Sequence, residues 1–554
     1  MKRLIVLTFS VFLGVSCGKV DFDLLNEKLN ELSADEVVTL IEDHEQTITL
    51  NYEQSFTATS CTITSLTGAA VTTPCSCSAG VCTVGITPNG LGDISLLYSV
   101  SDGGTNSDSS DVQATVKEVV PFKSTWRVGD PSYGDGDRTV TLPLRSGFNY
   151  NFTVDWGDGN VGEVTSHDDP DIDHLYDDPG DYQITITGLV EAWNFANTGD
   201  KDKILSIEEL GTVGWRSFYD AFWGCNNLTV VSGGDTSNVV EMDWMFDRAP
   251  LANPDTSDWN TSNVRSMAGV FFGASTANPD VSKWDVSNVR NMMSLFFDAP
   301  NANPDVSNWD TSNVENMKWM FVRAYAANPD VSKWDTSSVT NMAEMFYDAD
   351  AADPDVSNWD TSNVTDMNGM FEYTAIANPD VSNWDMSNVT NISGMFFQTS
   401  AANPDVSNWD VSSVTNMDSV FSNTAVADPD VSNWNTVSVT NMRAVFYSAD
   451  AANPDVSMWN TSNVTTMESM FYFADFANPD MSNWDFSSVT NVNGMFEGVT
   501  TLSTTNYNNL LIRMEATAPD SLNFHGGSAT CSGAGCTARN NLDTVKNWNI
   551  TDGV

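Results

Sequence analysis

What most constrains this chain is a 25-residue period that runs without insertion or deletion from about Asn253 to Phe496. Tryptophan recurs at Trp259, Trp284, Trp309, Trp334, Trp359, Trp384, Trp409, Trp434, Trp459 and Trp484. Proline keeps the same step from Pro254 to Pro479, and a Met-Phe phase runs from Phe246 to Phe496. A fixed period of this size is the sequence mark of stacked repeats. One 25-mer carries too few apolar positions to fold alone, so neighbouring copies must share a core. In the copy around Trp309 the apolar positions are Val306, Trp309, Val314, Met317, Met320, Phe321, Ala324 and Ala327. They fit neither a long period-two strand nor several turns of helix. Such spacing suits a chain that bends every few residues. Proline fixes φ and removes a donor, so Asn-Pro-Asp predicts a corner. Val-Ser-Asn-Trp predicts a short strand, and Met-x-x-Met-Phe a short helix or 3-10 turn. The expectation is a solenoid of about eleven coils, on the order of 50 Å long at strand spacing.

Equal spacing stacks like side chains into ladders. An aspartate follows the proline at Asp255, Asp280, Asp305, Asp330, Asp355, Asp380, Asp405, Asp430, Asp455 and Asp480. Neighbouring charges ~4.8 Å apart repel by roughly 0.9 kcal/mol in water. Two devices would offset this: turn capping, each carboxylate accepting a backbone N–H, or cations, Ca²⁺ among them, bound between coils. The residue after each Trp is mostly Asp but is Asn260, Asn435 and Asn460 in three copies, which favours a hydrogen-bonding role there. The Trp ladder reads as core, with a half-exposed ligand strip as the alternative. Lys318-Trp319, Ala343-Glu344, Asp418-Ser419 and Arg443-Ala444 share one variable phase, read as outward-facing.

The wording Asn388 to Phe396, and Asp355-Val-Ser-Asn-Trp-Asp-Thr-Ser-Asn-Val364, resembles BspA-type leucine-rich-repeat surface proteins. The resemblance covers about 205–554. It implies a leucine-rich-repeat-like solenoid and a cell-surface adhesin or ligand-recognition protein whose partner is an extracellular protein or glycan. A departure is the Ala before Asn-Pro, where related repeats often carry an aromatic.

Met1-Lys-Arg followed by Leu4 to Val15 reads as an export signal. Gly14-Val-Ser-Cys17-Gly resembles a bacterial lipoprotein signal, which implies that Cys17 becomes an acylated first residue. Membrane contact would then run through the N-terminal lipid alone, at the cell surface or outer membrane; plain secretion is the alternative. The domain reading is a signal at 1–17, a tether at 18–35, and an Ig- or cadherin-like β-sandwich at 36–120. A PKD-like β-sandwich follows at 121–200, carried by Val154-Asp-Trp156-Gly-Asp158-Gly159 and His174-Leu-Tyr176. An N-terminal cap coil occupies 201–235, the solenoid 236–500 and a C-terminal cap 501–554. The fold class is therefore mainly β and multi-domain: two β-sandwich modules, then the solenoid with short strands and short helical or 3-10 turns. Cys61, Cys75, Cys77 and Cys82 suit two disulfides in an exported module, and Cys531 with Cys536 a third. Cys225 is left over.

A net charge of −51 argues against nucleic acid, since little here would neutralise phosphates. The four histidines His44, His167, His174 and His525 lie in no catalytic motif. Carboxylates repeated ten times are unlike a single asymmetric active site. The expectation is a non-enzyme without a cofactor, Ca²⁺ being the one candidate ion. Three functions are weighed: ligand recognition through the repeats, an architectural envelope spacer, and a secreted hydrolase.

Overall fold

The computed structural model describes residues 37–41, 46–50, 56–104 and 106–553. The expected signal peptide, Cys17 and the tether at 18–35 lie outside the described residues. The chain forms two compact units, the first ending at Val116 and the second beginning at Lys117.

The first unit holds β1 (Val37–Ile41), β2 (Gln46–Thr49), β3 (Ser60–Thr67), β4 (Ala69–Ser78), β5 (Val81–Pro88), β6 (Gly92–Ser101) and β7 (Ser107–Lys117). They make a four-stranded sheet, β1-β7-β6-β3, and a three-stranded one, β2-β5-β4. Strand alternation explains the core: Ile94, Leu96, Tyr98 and Val100 of β6 are buried with Ile48, Val84 and Ile86. Disulfides Cys61–Cys75 and Cys77–Cys82 tie β3 to β4 and β4 to β5. A core this small gains from such cross-links.

The second unit opens with β8 (Phe122–Val128), β9 (Thr139–Thr141), β10 (Tyr150–Asp155), β11 (Val161–Val164), β12 (Asp173–Leu175), β13 (Gly180–Val190), β14 (Ile204–Glu209) and β15 (Val230–Val231). Six of them form one sheet, β11-β10-β13-β8-β14-β15, while β9 pairs with β12. The boundary expected at 200/201 is not a structural break. β14 runs antiparallel on β8, and Trp193 and Trp215 pack on Phe122 with ring centroids 5.2 and 5.7 Å away. A single hydrophobic core continues from Phe122 to Trp548.

The expected fold class needs correction. The described residues form five small open sheets and only two α-helices, not two β-sandwiches followed by a leucine-rich-repeat-like solenoid of eleven coils. Within 236–500 there is no strand, helix or 3-10 turn among the described residues, only tight turns and one-residue parallel bridges such as Asn291↔Asn316 and Asn316↔Asn341. The backbone shows why. Alternate N–H groups, those of Met292, Ser294, Phe296 and Asp298, donate to Asn316, Lys318, Met320 and Val322 of the next repeat at 2.7–2.9 Å. The intervening N–H groups close turns on their own repeat: Leu295 to Met292, Phe297 to Ser294, and Ala299 to Phe296. Between them φ turns positive, +58° at Ser294 and +53° at Asp298. Every 25th residue from Trp244 to Gly494 has positive φ, and so does every 25th from Arg248 to Gly498. A strand needs extended residues and a helix right-handed ones, so this alternation excludes both.

The tryptophans stack face to face through the interior, with centroids 6.0–6.5 Å apart and planes within 6°. From Trp284 to Trp484 each indole N–H donates to the carbonyl 28 residues earlier, as Trp359 does to Val331 at 3.1 Å. Beyond the last repeat lie α1 (Thr504–Thr517), β16 (Asn523–His525), α2 (Gly533–Thr544) and β17 (Asn549–Thr551). Ser503 caps α1 by accepting the Asn506 N–H. Tyr507, Leu510, Leu511 and Met514 are buried, and Phe524 bridges to Val492. This cover closes the apolar end of the stack.

Candidate functional site

All ten ladder aspartates, Asp255 to Asp480, act as turn caps. Each Oδ1 accepts the N–H of the serine two residues on, at 3.0–3.2 Å. In the eight from Asp255 to Asp430 the same serine also donates its hydroxyl, at 2.6–2.7 Å. Those serine bonds hold Asp255, Asp280, Asp330, Asp380, Asp405, Asp430 and Asp455 below the usual carboxylate range. The residue after Trp repeats the device, and an amide serves as well: Asn260 and Asn460 accept both donors of Ser262 and Ser462. The ten ladder tryptophans are buried, none more than 4 % exposed, so they offer a ligand no surface.

Among the described residues, two groups of ligand-type side chains converge in threes elsewhere. Cys61, Cys77 and Cys82 are consumed in disulfides, as are Cys531 and Cys536, while Cys225 is buried and free. Asp135, Asp137 and Asp200 surround an internal cation, the buried Lys203 ammonium, at 2.9, 2.5 and 2.6 Å. His174 stacks on Trp156 at 4.8 Å and pairs with Asp158 at 2.8 Å, a packing role.

The chemistry available to a partner lies on the variable phases. The pairs 318–319, 343–344, 418–419 and 443–444 sit where φ turns positive, though Ala343 and Ala444 are buried, and a second row follows three and four residues later, at the phases of Phe297 and of the positive-φ Asp298. Together the rows carry half-exposed aromatic rings in contact: Phe272 on Phe297 at 4.4 Å, Tyr347 against Tyr373 at 5.5 Å, Tyr373 against Phe397 at 5.2 Å, and Tyr447 on Tyr472 at 4.7 Å. Charges interleave with them. Lys318 Nζ lies 4.2 Å from the centre of the Trp319 ring, Arg323 pairs with Asp348 at 3.6 Å, and Arg443 bridges Asp418 and Glu468 at 3.2 and 3.6 Å. At Gly369 and Gly394 the strip has no side chain. Glu372 fills the space, its Oε2 lying 3.0 and 2.6 Å from where their Cβ atoms would stand. Burial, then the nearby Glu344 charge, pushes the Glu372 carboxyl up to about 7.

Three overlapping segments, 216–332, 324–426 and 390–510, match the family described as "Mycoplasma protein of unknown function, DUF285". Together they run from 216 to 510, more than half of the chain. The chain belongs to the DUF285 family. None of the curated proteins and none of the solved structures compared with it matches. The DUF285 stretch contains both ladders and the whole aromatic strip. It leaves outside it the first unit and strands β8 to β14.

Sequence reasoning found only the first row of the strip. The second was visible in the doublets Phe271-Phe272, Phe296-Phe297, Phe346-Tyr347, Phe396-Phe397, Phe446-Tyr447 and Phe471-Tyr472. The first ring of each is core and the second lies on the surface. The buried acids Asp220, Asp243 and Asp247 at the entry to the repeats were also missed, since nothing in their sequence spacing marks them as buried.

Proposed function

We propose that this protein recognises an extracellular protein or glycan at a bacterial cell surface, contacting it through the aromatic and charged strip of its repeats. The supporting observation is the strip itself: paired half-exposed rings interleaved with Lys318, Arg323, Arg443 and neighbouring carboxylates. Aromatic groups with nearby hydrogen-bonding charges suit both sugar faces and protein anchors. Their backbone is fixed by hydrogen bonds to the next repeat, so little ordering would remain on binding. The likeness to BspA-type surface proteins and the lipoprotein-like Cys17 motif support anchoring by an N-terminal lipid. Variation along the strip, against an almost invariant core and caps, favours recognition over a plain spacer or a hydrolase.

The test is binding of the purified mature chain to a glycan array and to immobilised extracellular-matrix proteins, beside a Tyr373→Ala/Phe397→Ala variant. The expected result is a bound probe whose affinity falls at least tenfold in the variant at unchanged melting temperature. Binding to no probe, or equal binding by both proteins, would favour a spacer.

A further inference from the structure

Four consecutive repeats in the middle of the stack carry one sign of charge: from Trp334 to Met442 the sequence holds no lysine, arginine or histidine, while aspartate and glutamate recur throughout. On the strip, the cations at either end of this stretch are engaged, Arg323 with Asp348, and Arg443 with Asp418 and Glu468. Between them stand Glu344 and Glu372. Both reach over Gly369, where the point a Cβ would occupy lies 2.9 Å from Glu344 Cγ and 3.0 Å from Glu372 Oε2. The Asn368 side-chain amide donates to Glu344 at 3.2 Å. Among the described residues neither a donor nor a cation reaches the Glu372 carboxylate, although that side chain is half-buried.

Three rings flank that carboxylate. Glu372 occupies the second position of its doublet, and Tyr347 and Phe397 hold the same position one repeat before and one repeat after it. The backbone stacks these repeats directly, the Asp348 N–H donating to the Glu372 carbonyl and the Tyr373 N–H to the Phe397 carbonyl, both at 2.8 Å. Tyr373 packs against both rings: its centre lies 5.5 Å from that of Tyr347 and 5.2 Å from that of Phe397, at 68° and 75° to their planes. The result is an aromatic corner with a carboxylate beside it. Ring faces attract cations, most strongly where water is partly excluded, and a half-buried carboxylate without a donor gains from meeting one.

We propose that this corner binds an arginine side chain from a basic segment of an extracellular partner protein. The inference deepens the recognition reading above and rests on it. A guanidinium is planar and weakly hydrated, so it lies on a ring while its fork of donors meets Glu372, with Glu344 close by. A lysine ammonium is a compact, strongly hydrated point charge and fits the corner less well. A neutral sugar would leave Glu372 without a counter-charge, and a sulfated or carboxylated glycan would be repelled. The negative charge of 334–442 would draw a basic segment to this part of the strip rather than to its ends, where Arg323 and Arg443 stand.

The experiment is fluorescence anisotropy of a fluorescein-labelled peptide of alternating arginine and serine, titrated with the full mature chain at pH 7.5 and 0.15 M NaCl. Matching peptides carry lysine or glutamate in place of arginine. Glu372→Gln, Tyr373→Ala and, as an equal change of charge away from the strip, Asp405→Asn are measured in parallel. The expected result is saturable binding of the arginine peptide, at least threefold weaker binding of the lysine peptide and none of the glutamate peptide. Glu372→Gln and Tyr373→Ala should each weaken the arginine peptide at least fivefold, and Asp405→Asn less than twofold. Differential scanning fluorimetry checks the fold, and if one strip variant misfolds the other reads the same site. The proposal is overturned if the parent chain binds no arginine peptide, if the lysine peptide binds as tightly, or if folded Glu372→Gln keeps the parent's affinity. The recognition reading fails separately: it stands wherever a glycan or matrix protein binds the parent and not the Tyr373→Ala/Phe397→Ala variant.

Discussion

Replacing Trp359 by alanine separates a load carried by the interior from one carried by the surface. The indole is 3 % exposed, lies between Trp334 and Trp384 at 6.3 and 6.4 Å with planes 3° apart, and donates to the Val331 carbonyl at 3.1 Å. Truncating a core tryptophan costs about 3–5 kcal/mol, depending on how far the surroundings collapse. Collapse is opposed here, because hydrogen bonds to both neighbouring repeats hold the backbone. The Val331 carbonyl also loses its indole donor, which by itself costs about 1 kcal/mol. The loss should therefore sit near 5 kcal/mol. Because repeats contact only their neighbours, the lesion should also split urea unfolding into two transitions. The matched control is Trp319→Ala, at a half-exposed ring with φ of +62° and no acceptor for its N–H. That change should cost about 1 kcal/mol or less, as surface substitutions do. Urea unfolding followed by circular dichroism at 25 °C measures both. A loss below about 1 kcal/mol for Trp359→Ala, or equal losses for the two variants, would refute the assignment of the ladder to the core.

Further outcomes follow from the same geometry. Gly394→Ala should destabilise by about 1–2 kcal/mol, since φ is +63° and the new Cβ would lie 2.6 Å from Glu372 Oε2. Ser469→Gly, at φ of +55°, should instead stabilise by about 0.5 kcal/mol after the extra freedom of the unfolded chain is subtracted; thermal melts of the two resolve the sign. Asp280→Ala should cost about 1 kcal/mol by removing the acceptor of the Ser282 N–H and hydroxyl, and Asp280→Asn less than half of that, read from the urea midpoint. Stability should fall as pH rises from about 4 to 7. Folded Asp220 and Asp247 hold protons up to about 7, while the unfolded chain releases them near 3.9. The difference is on the order of 4 kcal/mol per group, and melting curves of the Asp220→Asn/Asp247→Asn variant should flatten accordingly. Asp255, Asp280, Asp330, Asp380, Asp405, Asp430 and Asp455 act oppositely: their stabilisation is present above about pH 4 and lost as they are protonated below it.

Much of the repeat stack was legible in the sequence because it depends on side-chain type at a fixed phase. A tryptophan every 25 residues in a chain too short per copy to fold alone has to be shared between neighbours. An aspartate two residues before a serine carries its cap within three residues of sequence. The backbone path was not legible. Val-Ser-Asn-Trp looks β-prone yet closes a turn, the Trp309 N–H donating to the Val306 carbonyl, and Met-x-x-Met-Phe looks helical, yet positive φ at Ser294, Trp319 and Glu344, side chains that ordinarily avoid it, turns that segment into consecutive tight turns. That conformation survives because each turn hands alternate N–H groups to the next repeat, a gain no single repeat contains. For the same reason the break expected at 200/201 vanished: β14 reads as the start of a coil until β8, some eighty residues earlier in the chain, supplies its partner.

Sequence by itself thus determined the period, the identity of the core ladder and the local caps, all of which follow from short-range chemistry repeated in phase. Only the tertiary structure decided that the second ring of each aromatic doublet reaches the surface. It also buried Asp220 and Asp247 and left Asp247 Oδ1 without a hydrogen-bond donor. Both outcomes depend on which groups fail to find a partner once every repeat is packed, and that is a property of the assembled neighbours rather than of any one stretch of chain.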